Sequence, residues 1–532
     1  MLQGLAAGAG LAVVGGPSAF ASRAPGASLD PRARGAAGDL RRPGSRPDPS
    51  KPEGVDTLPQ IEHIVIYMQE NHSYDQYFGM LGRGDGFTLD AAGRPTNANP
   101  DLRGNPVPVF PMPSTCDLTQ AASQDWDSSH RSVNGGAMDG FVTAANGGTG
   151  SMGYWDGTTL PFYYGLANTF PICDRWFCSA LAQTFPNRRY LQAATSLGIV
   201  STDVNEVLAT PDAPNGLIWD RLNAHGITWN DYAWDLADIL LFPNFYADNK
   251  SHVKTFNQFL LDCRNGALPQ VSIISPGDNT YTEENPADIQ NGEAYSASII
   301  NAVMASPLWP TTAMFFMYDE HGGAYDHVPP PPAVAPDSIK PRVHVPPDAP
   351  GGFDTYGVRV PGFVISPFAK ADYVSHVVHD HTSVLKFIET KWNLGALTYR
   401  DANADDLLDC FDFVNPGFRE PPTLPAPGLP PGGSTCQKIP TPPTRGVEPA
   451  ATTTTTTATS TPAPGAPTGG PPLASAPTGP TFLARTGAAD HTGQLAAVGT
   501  FGVLAGVAAV LAARELDHRA ADRDPSSPAD RS

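Results

Sequence analysis

Basic residues are scarce in this chain of 532 residues. It has 33 lysines and arginines against 53 aspartates and glutamates, a formal net charge of −20, and the basic residues form no long run. A protein that binds nucleic acid needs clustered cations to neutralise phosphates. The composition therefore argues against a nucleic-acid partner.

Cysteine is also scarce, and no internal repeat is evident. The six cysteines are Cys116, Cys173, Cys178, Cys263, Cys410 and Cys436. This even but small number allows at most three disulfides on a core that folds without them, not a disulfide framework. No C-x-x-C pair is present, which argues against a zinc site built on cysteines.

The N-terminal segment has the pattern of an export signal. Residues 1–21 are small and apolar and end in Ala19-Phe20-Ala21, an A-x-A cleavage pattern, so we predict a signal peptide. Its start resembles the part of a Tat signal that follows the twin arginines, and we therefore expect the true start to lie upstream. The alternative is a disordered Ala/Gly tail. Residues 22–57 are predicted to be disordered.

The C-terminal segment has the pattern of a surface anchor. Residues 421–482 are rich in Pro, Thr, Gly and Ala without a periodic apolar face, which predicts a stalk. Within residues 483–532, "LARTG" precedes an apolar run at 495–513, long enough to span a bilayer, and a charged end. This order resembles the cell-wall sorting signal of Gram-positive surface proteins, which implies sortase and peptidoglycan as partners. The alternative is a plain membrane anchor.

The region between these ends, residues 58–420, is predicted to be one α/β domain. "IEHIVIYM" (61–68), "TTAMFFMY" and "PGFVISPF" are apolar runs typical of buried parallel strands. "AYSASIINAVMAS" and "TSVLKFIETKW" have helical spacing. Alternating strands and helices predict a mostly parallel central sheet flanked by helices.

Acidic residues follow two of these strands, where ligands of such sheets bind. Glu70 and Asn71 follow the first, and Asp319 and Glu320 follow a later one. Clustered carboxylates repel unless a cation lies between them, so we predict a divalent metal site, with Ca²⁺, Mg²⁺, Mn²⁺ or Zn²⁺ as candidates. Taken alone, "ENHS" could be a helix cap and "DEHGG" a polar turn.

A hydroxyl nucleophile is predicted in "TFPNRRYLQAATS". Thr184 could attack an electrophile if a metal or a base lowered the pKa of its hydroxyl. Asn187 and Arg188 could bind oxyanion oxygens, although an arginine here could instead pair with a carboxylate. Without a metal, Thr184 is simply the first residue of a helix.

Histidines complete the predicted site. His130 lies in a loop of small and polar residues, and His381 leads into a helix behind His376 and His379, which we expect to support it. Imidazoles at a helix N-terminus suit anion binding or proton transfer. A single histidine more often has a structural hydrogen bond.

Taken in order, six motifs resemble the bacterial phosphoesterase family of phosphatidylcholine-type phospholipases C and related acid phosphatases, a branch of the alkaline phosphatase superfamily. They are "IVIYMQENHSYDQYFG", "DGFV", "FPNRRYLQAATS", "YDEHGGAYDHVPPP", "GVRVPGFVISPF" and "HDHTSVLKFIE". The resemblance runs from about residue 60 to about residue 413. It implies metal-assisted phosphoryl transfer through a Ser or Thr nucleophile and a phosphoenzyme.

The resemblance also implies a role for each matching residue. The metal ligands would be Glu70, Asn71, Asp319 and Glu320; the catalytic residues Thr184, His130, His381 and His321; and the phosphate-binding residues Asn187, Arg188 and His327. One departure is Asn285, which stands where relatives often have a histidine; this could lower activity or shift its pH optimum.

The leading hypothesis is an exported, surface-anchored phosphoester hydrolase acting on phospholipids or other phosphoesters. The rival enzyme is a nonspecific acid phosphatase acting on monoesters. The rival from another class is a non-catalytic surface adhesin, which the C-terminal anchor fits equally well.

Overall fold

The computed structural model describes residues 40–116, 120–276, 281–284, 287–343, 349–429 and 436. The predicted signal peptide, most of the stalk, the sorting signal, the apolar run at 495–513 and Asn285 lie outside them. A search of the described residues found no helix long and apolar enough to cross a membrane.

One large sheet forms the centre of the domain. Its eight strands run in the order β12-β6-β11-β10-β1-β9-β7-β8. They are β1 (His63–Gln69), β6 (Ile172–Cys173), β7 (Trp229–Ala233), β8 (Val253–Thr255), β9 (Val271–Ile274), β10 (Thr312–Tyr318), β11 (Gly362–Ile365) and β12 (Val374–Ser375). Four short strands, β2 (Ala98–Pro100), β3 (Pro106–Pro108), β4 (Phe110–Pro111) and β5 (Gly153–Tyr154), form two small two-stranded sheets.

Most neighbouring strands of the large sheet are parallel. β1 pairs in parallel with β10, from His63 opposite Thr312 to Gln69 opposite Tyr318, and with β9 on its other side. β9 and β8 pair in parallel with β7, and β12 pairs in parallel with β6. Only β11 is antiparallel to both of its neighbours. The predicted α/β fold with a mostly parallel sheet is confirmed.

Helices surround this sheet. They are α1 (Tyr74–Phe78), α2 (Trp126–Val133), α3 (Phe141–Ala144), α4 (Pro161–Thr169), α5 (Thr184–Ala193), α6 (Val204–Ala209), α7 (Ile218–Ala224), α8 (Pro243–Asn249), α9 (Phe256–Asn265), α10 (Ile289–Met304), α11 (His381–Trp392) and α12 (Tyr399–Ala402). Every residue of β10 is buried, and side chains alternate between the two faces of a strand. Both faces of the sheet centre are therefore covered, which explains why these strands are apolar throughout.

Part of the segment predicted to be disordered has defined structure. Residues 40–57 lie against the C-terminal end of α11, where the Asn393 side chain donates hydrogen bonds to the carbonyls of Asp48, Lys51 and Pro52. One amide satisfies three backbone carbonyls, and this ordering cannot be read from the local composition. At the other end, the backbone N–H of Gly428 donates to buried Glu293, so the described chain still contacts the domain beyond residue 420.

One disulfide is present among the described residues. It joins Cys116 to Cys436, which are separated by 320 positions in the sequence. The other four cysteines are free and buried. Residue 436 of the predicted stalk is thus bonded covalently to the α/β domain.

Candidate active site

Acidic side chains from four adjacent strands meet at the carboxyl edge of the sheet. Glu70 follows β1, Asp319 and Glu320 follow β10, Glu284 lies in the loop after β9, and Asp238 lies after β7. The sheet order β10-β1-β9-β7 makes these four strands neighbours. The two acid-rich strand ends that the sequence predicted to share a crevice therefore do so.

Arg188, on α5, lies among these acids. Its guanidinium nitrogens are 3.0 Å from Glu70 Oε1, 3.1 Å from Asp238 Oδ1 and 3.4 Å from Asp319 Oδ2. It also donates to the carbonyl of Met68, at 3.3 Å. One buried cation thus joins the loops that follow three strands. Of the two roles considered for Arg188, oxyanion binding and carboxylate pairing, the contacts in the structure correspond to carboxylate pairing.

The remaining negative charge exceeds what one guanidinium can neutralise. Burial raises the pKa of Glu70, of Asp319 and of Glu320, and Arg188 only partly offsets this. Repulsion adds to the effect, from Asp238 on Glu70 and from Glu70 on both Asp319 and Glu320. Burial, followed by repulsion from Glu70 and Glu320, raises the pKa of Glu284 to about 8. The site therefore favours either bound protons or an additional cation.

Unsatisfied polar atoms in the same place favour a cation. Oδ1 of Asn71 and Oε1 of Glu320 are buried without a hydrogen-bond partner, and Oδ2 of Asp319 has no hydrogen bond beyond its 3.4 Å ion pair with Arg188. Buried polar atoms normally have partners, and oxygen atoms of this kind are ligands that hard divalent cations prefer. The donor atoms of the predicted ligands, Glu70, Asn71, Asp319 and Glu320, are of the types that suit a divalent metal ion, and their roles as ligands stay predictions.

Thr184 is the first residue of α5, four positions before Arg188. Residues four apart share one face of a helix, so the threonine lies on the face whose arginine contacts the acids. It is buried, and its position in the first helical turn puts it beside backbone N–H groups that favour anions. The Thr184 hydroxyl therefore lies at the N-terminal end of α5, on the helix face that carries Arg188.

Asn187 holds the loop that precedes Thr184. Its side-chain oxygen accepts from the N–H of Ala180 at 3.0 Å, and its nitrogen donates to the carbonyls of Ala182, at 2.9 Å, and Gln183, at 3.1 Å. Because the amide is bonded to the backbone on both sides, the structure supports a positioning role for Asn187. Its predicted role in phosphate binding stays a prediction.

Two glycines shape the loop after β10. Gly322 and Gly323 have φ of 62° and 75°, a region that side chains disfavour. A Cβ atom on Gly322 would lie 2.3 Å from the carbonyl oxygen of Asn71, and one on Gly323 would lie 1.8 Å from that of Ala122. The glycines of "DEHGG" thus let this loop pack against the loop that carries Asn71.

His381 and His321 are buried beside the acids as neutral imidazoles. Burial lowers the pKa of each to about 4. Nδ1 of His381 accepts from Trp176 at 3.5 Å, so its Nε2–H donates to the carbonyl of Asp319 at 2.8 Å. His381 therefore fixes the backbone of a predicted metal ligand. Nδ1 of His321 is 3.4 Å from Glu320 Oε2, and its Nε2 has no hydrogen-bond partner.

His327 and His130 have other partners. The His327 ring bonds Asp75 at 2.6 Å and Asp85 at 3.2 Å. Burial lowers the pKa of His327, but Asp75 and Asp85 together raise it to about 10, so the ring is an imidazolium at neutral pH. The His130 ring lies against Trp126 at a tilt of 38° and bonds the Trp126 carbonyl at 2.7 Å, and burial lowers the pKa of His130. None of the described hydrogen bonds or ion pairs joins either ring to Glu70, Asp319 or Glu320.

Asp238 and Glu284 are site residues that the sequence reasoning missed. β7, with the sequence "WNDYA", has too many polar residues to be recognised as a buried strand, so the acid that follows it was not considered. Glu284 precedes Asn285, the residue that stands where relatives often have a histidine. The sequence reasoning considered this loop only for Asn285. Glu284 accepts from Gln124 at 3.3 Å. Examining the residues after every strand of the sheet would have found both acids.

A mostly parallel sheet with acids and a buried arginine at its carboxyl edge is an arrangement found in α/β hydrolases. The chain belongs to the phosphoesterase family, because the Phosphoesterase family model matches residues 61–395.

Curated relatives agree with this assignment. The chain is 31% identical over 427 residues to phospholipase C B of Mycobacterium tuberculosis, covering 70% of this chain and 81% of that protein. It is 32% identical over 423 residues to non-hemolytic phospholipase C of Pseudomonas aeruginosa, covering 69% of this chain and 59% of that protein. Non-specific phospholipase C3 of Arabidopsis thaliana is 28% identical over 417 residues, with 70% and 77% covered. The predicted family and enzyme class, a hydrolase acting on phosphoester bonds, are confirmed.

Solved structures are more distant. A Vibrio parahaemolyticus protein of the alkaline phosphatase superfamily matches with a TM-score of 0.33 and 9% identity, covering 69% of this chain and 72% of that one. So weak a likeness does not define a superfamily, and membership of the alkaline phosphatase superfamily stays a prediction.

Proposed function

We propose that this protein is a metal-dependent, phospholipase C-like phosphoester hydrolase whose nucleophile is Thr184. The observation that carries the proposal is the meeting of acids from four adjacent strands with the face of α5 that bears Thr184 and Arg188. The names of the relatives support a phosphodiester of a phospholipid as substrate.

In the proposed reaction, the Thr184 oxygen forms a bond to phosphorus as the bond from phosphorus to the alcohol breaks. Water then attacks the phosphothreonine and releases the phosphorylated head group. The first turn of α5 would hold the phosphoryl oxygens through backbone N–H groups, and Arg188 would keep the acidic loops in place around them.

The cation held by Glu70, Asn71, Asp319 and Glu320 would neutralise phosphoryl charge and lower the pKa of the attacking hydroxyl. The candidate ions are Ca²⁺, Mg²⁺, Mn²⁺ and Zn²⁺. Glu284 could supply the proton that the departing alcohol needs, because its pKa of about 8 keeps it protonated at neutral pH. His381 would act through its hydrogen bond to the Asp319 backbone.

We also propose that the protein is exported and held at the cell surface. The N-terminal A-x-A pattern and the "LARTG" segment with its apolar run support this, and sortase and peptidoglycan are the partners they imply. The disulfide between Cys116 and Cys436 supports an oxidising compartment. A covalent bond between the base of the stalk and the domain also suits an anchored protein.

A comparison of rates on p-nitrophenyl phosphorylcholine and p-nitrophenyl phosphate tests the proposed activity. We expect the diester to react faster, chelator to abolish turnover, and divalent metal to restore it. Thr184→Ala should remove turnover, and Thr184→Ser, the matched control with a hydroxyl, should retain part of it. Faster monoester hydrolysis would favour the acid phosphatase, and no turnover with any metal would favour the adhesin.

A further inference from the structure

A cluster of buried polar side chains adjoins the loops that carry the site acids, and Glu283 is its centre. The Glu283 carboxylate accepts hydrogen bonds from three tyrosine hydroxyls: Tyr77 at 2.6 Å and Tyr318 at 2.7 Å, both on Oε2, and Tyr163 on Oε1. All four residues are at most 1% exposed. Since the tyrosines belong to α1, β10 and α4, one carboxylate connects three elements of the fold.

The cluster extends to the last residue of β1. The Tyr163 hydroxyl lies 2.8 Å from Ser296 Oγ, which lies 3.0 Å from the Tyr67 hydroxyl. The Gln69 amide donates to the Tyr67 hydroxyl at 2.8 Å. A continuous series of buried hydrogen bonds therefore joins the Glu283 carboxylate to the end of β1.

Three members of the cluster share a position in the sequence: each directly precedes a site acid. The pairs are Gln69-Glu70, Glu283-Glu284 and Tyr318-Asp319. Two of these pairs begin at the last residues of β1 and β10, where consecutive side chains point to opposite sides of the chain. Holding the first residue of such a pair therefore limits where the second can reach.

The backbone of Glu283 is held against the segment that follows β1. Its N–H donates to the Glu70 carbonyl at 3.1 Å, and its carbonyl accepts from His72 Nε2 at 2.9 Å. On the other side of β1, the Asp319 N–H donates to the Gln69 carbonyl at 3.0 Å. The side chain and the backbone of Glu283 thus contact different parts of the same set of loops.

The fold accommodates Glu283 at a cost in stability. Gly292 lies inside α10, where a Cβ atom on it would be 2.1 Å from Cγ of Glu283. Glycine in a helix interior is about 1 kcal/mol less favourable than alanine. The described hydrogen bonds to the Glu283 carboxylate come from neutral hydroxyls, and a leucine would fill a core position without burying a carboxyl group. Both costs favour a role for Glu283 beyond packing.

We propose that Glu283 is a positioning residue, which holds the loops of Glu70, Glu284 and Asp319 in the arrangement that binds the cation. This role rests on the proposed function, because it assumes that these acids serve metal-dependent phosphoryl transfer. Glu283 acts through Tyr318 and through its own backbone, and it is not itself a predicted ligand. Replacing groups that hold metal ligands in place typically lowers metal affinity or activity by about 10–100-fold.

Binding of Mn²⁺ to the EDTA-treated full-length protein, measured by titration calorimetry, tests this role without using activity. Glu283→Leu should raise the Kd of Mn²⁺ by about 10-fold or more. Glu283→Gln has the same length, and its amide can accept from Tyr77 and Tyr318 and donate to Tyr163. This variant should therefore keep a Kd close to that of the wild type. Turnover of p-nitrophenyl phosphorylcholine should follow the same order.

Two neighbouring tyrosines of α4 provide a matched control. Tyr163→Phe removes a hydroxyl bonded to Glu283 and should raise the Kd of Mn²⁺. Tyr164→Phe removes a buried hydroxyl that has no hydrogen-bond partner among the described residues, so the Kd should not change. Gly292→Ala adds the Cβ atom that would displace the Glu283 side chain, and it should raise the Kd although alanine favours a helix.

Urea unfolding in EDTA separates positioning from a purely structural role. If Glu283→Leu and Tyr163→Phe are folded and less stable but keep the wild-type Kd of Mn²⁺, Glu283 only stabilises the core and the proposal is wrong. A wild type that binds no Mn²⁺ would also overturn it. If Glu283→Leu does not fold, Tyr163→Phe and Gly292→Ala still decide the question.

Failure of the proposed function would look different. A wild type without turnover in any metal would contradict the proposed function. The Kd of Mn²⁺ in Glu283→Leu, Glu283→Gln and Tyr163→Phe would still show whether Glu283 positions the acids.

Discussion

Replacing Arg188 with methionine removes the one guanidinium that joins three acidic loops. Methionine keeps the length of the side chain and its packing, but it leaves Glu70, Asp238 and Asp319 without the partner they have at 3.0, 3.1 and 3.4 Å. All four side chains are largely buried, so water does not replace the lost contacts. The variant should be less stable and should depend more on a divalent cation.

The size of the effect follows from the burial of the pairs. Removing one partner of a buried ion pair costs about 3–5 kcal/mol, mainly because a charge is left without compensation. Glu70 and Asp319 have raised pKa values, so proton uptake relieves part of this cost, and we expect about 3 kcal/mol near neutral pH. A divalent ion at a hundred times its Kd stabilises a protein by about 2.7 kcal/mol. The site in the variant is more negative and should bind the metal ion more tightly. At a fixed metal concentration, the metal should therefore raise the free energy of unfolding of the variant by more than it raises that of the wild type.

Urea unfolding in EDTA and in added Ca²⁺, Mg²⁺, Mn²⁺ or Zn²⁺ measures both effects. Arg189→Met is the matched control: this neighbouring arginine is equally buried, but it bonds the Leu241 carbonyl and stacks over Phe242 at 4.2 Å instead of pairing with acids. Its metal-induced stabilisation should equal that of the wild type. If Arg188→Met gains no more from any metal than Arg189→Met does, the acids do not form a cation site.

Two further predictions concern pH. The pKa of Glu284 is raised from 4.5 to about 8, so the protonated form stabilises the fold below pH 4.5 and this contribution is lost as pH rises through 8. We therefore compare the free energy of unfolding of Glu284→Gln with that of the wild type in EDTA. From pH 5 to pH 9 the difference should change by on the order of 3 kcal/mol in favour of the variant. A difference that stays constant over this range would contradict the prediction. The pKa of His327 is raised from 6.5 to about 10 by Asp75 and Asp85 despite burial, so its stabilising contribution is complete below pH 6.5 and is lost as pH rises through 10. His327→Gln should be less stable than the wild type at pH 6.5, and the difference should shrink towards pH 10. His376→Gln is the control: its side chain is 71% exposed, so the substitution should change stability little at any pH.

The central strands were predictable because they are buried on both faces. The apolar run "IEHIVIYM" covers β1 except its last residue, Gln69, and "TTAMFFMY" contains all of β10. Such continuous apolar character is typical of parallel strands that are covered on both faces. β7 was not predictable in this way, since Asp231 is a polar residue buried within the strand, where it accepts from the N–H of Ile239. Local hydrophobicity does not encode such a long-range hydrogen bond.

The candidate site was predictable in its acids but not in its contacts. Glu70 and Asp319 could be predicted as site residues because each follows an apolar strand. The loops that follow parallel strands lie at the same edge of the sheet. The ion pairs that place Arg188 between these two acids depend on how α5 packs against the sheet, which spacing along the chain does not encode. The hydrogen bonds of His327 to Asp75 and of Asn187 to the Ala182 carbonyl likewise depend on packing between distant or looped segments.

The phosphoenzyme at Thr184 is the most direct test of the proposed function. Turnover of p-nitrophenyl phosphorylcholine by the wild-type protein is quenched with acid, and the phosphorylated peptide is mapped by mass spectrometry. We expect one phosphorylcholine group, bonded through its phosphorus, on Thr184 at the first position of α5, and none in Thr184→Ala. This group on another residue, or full activity of Thr184→Ala without any modified peptide, would contradict the proposed nucleophile.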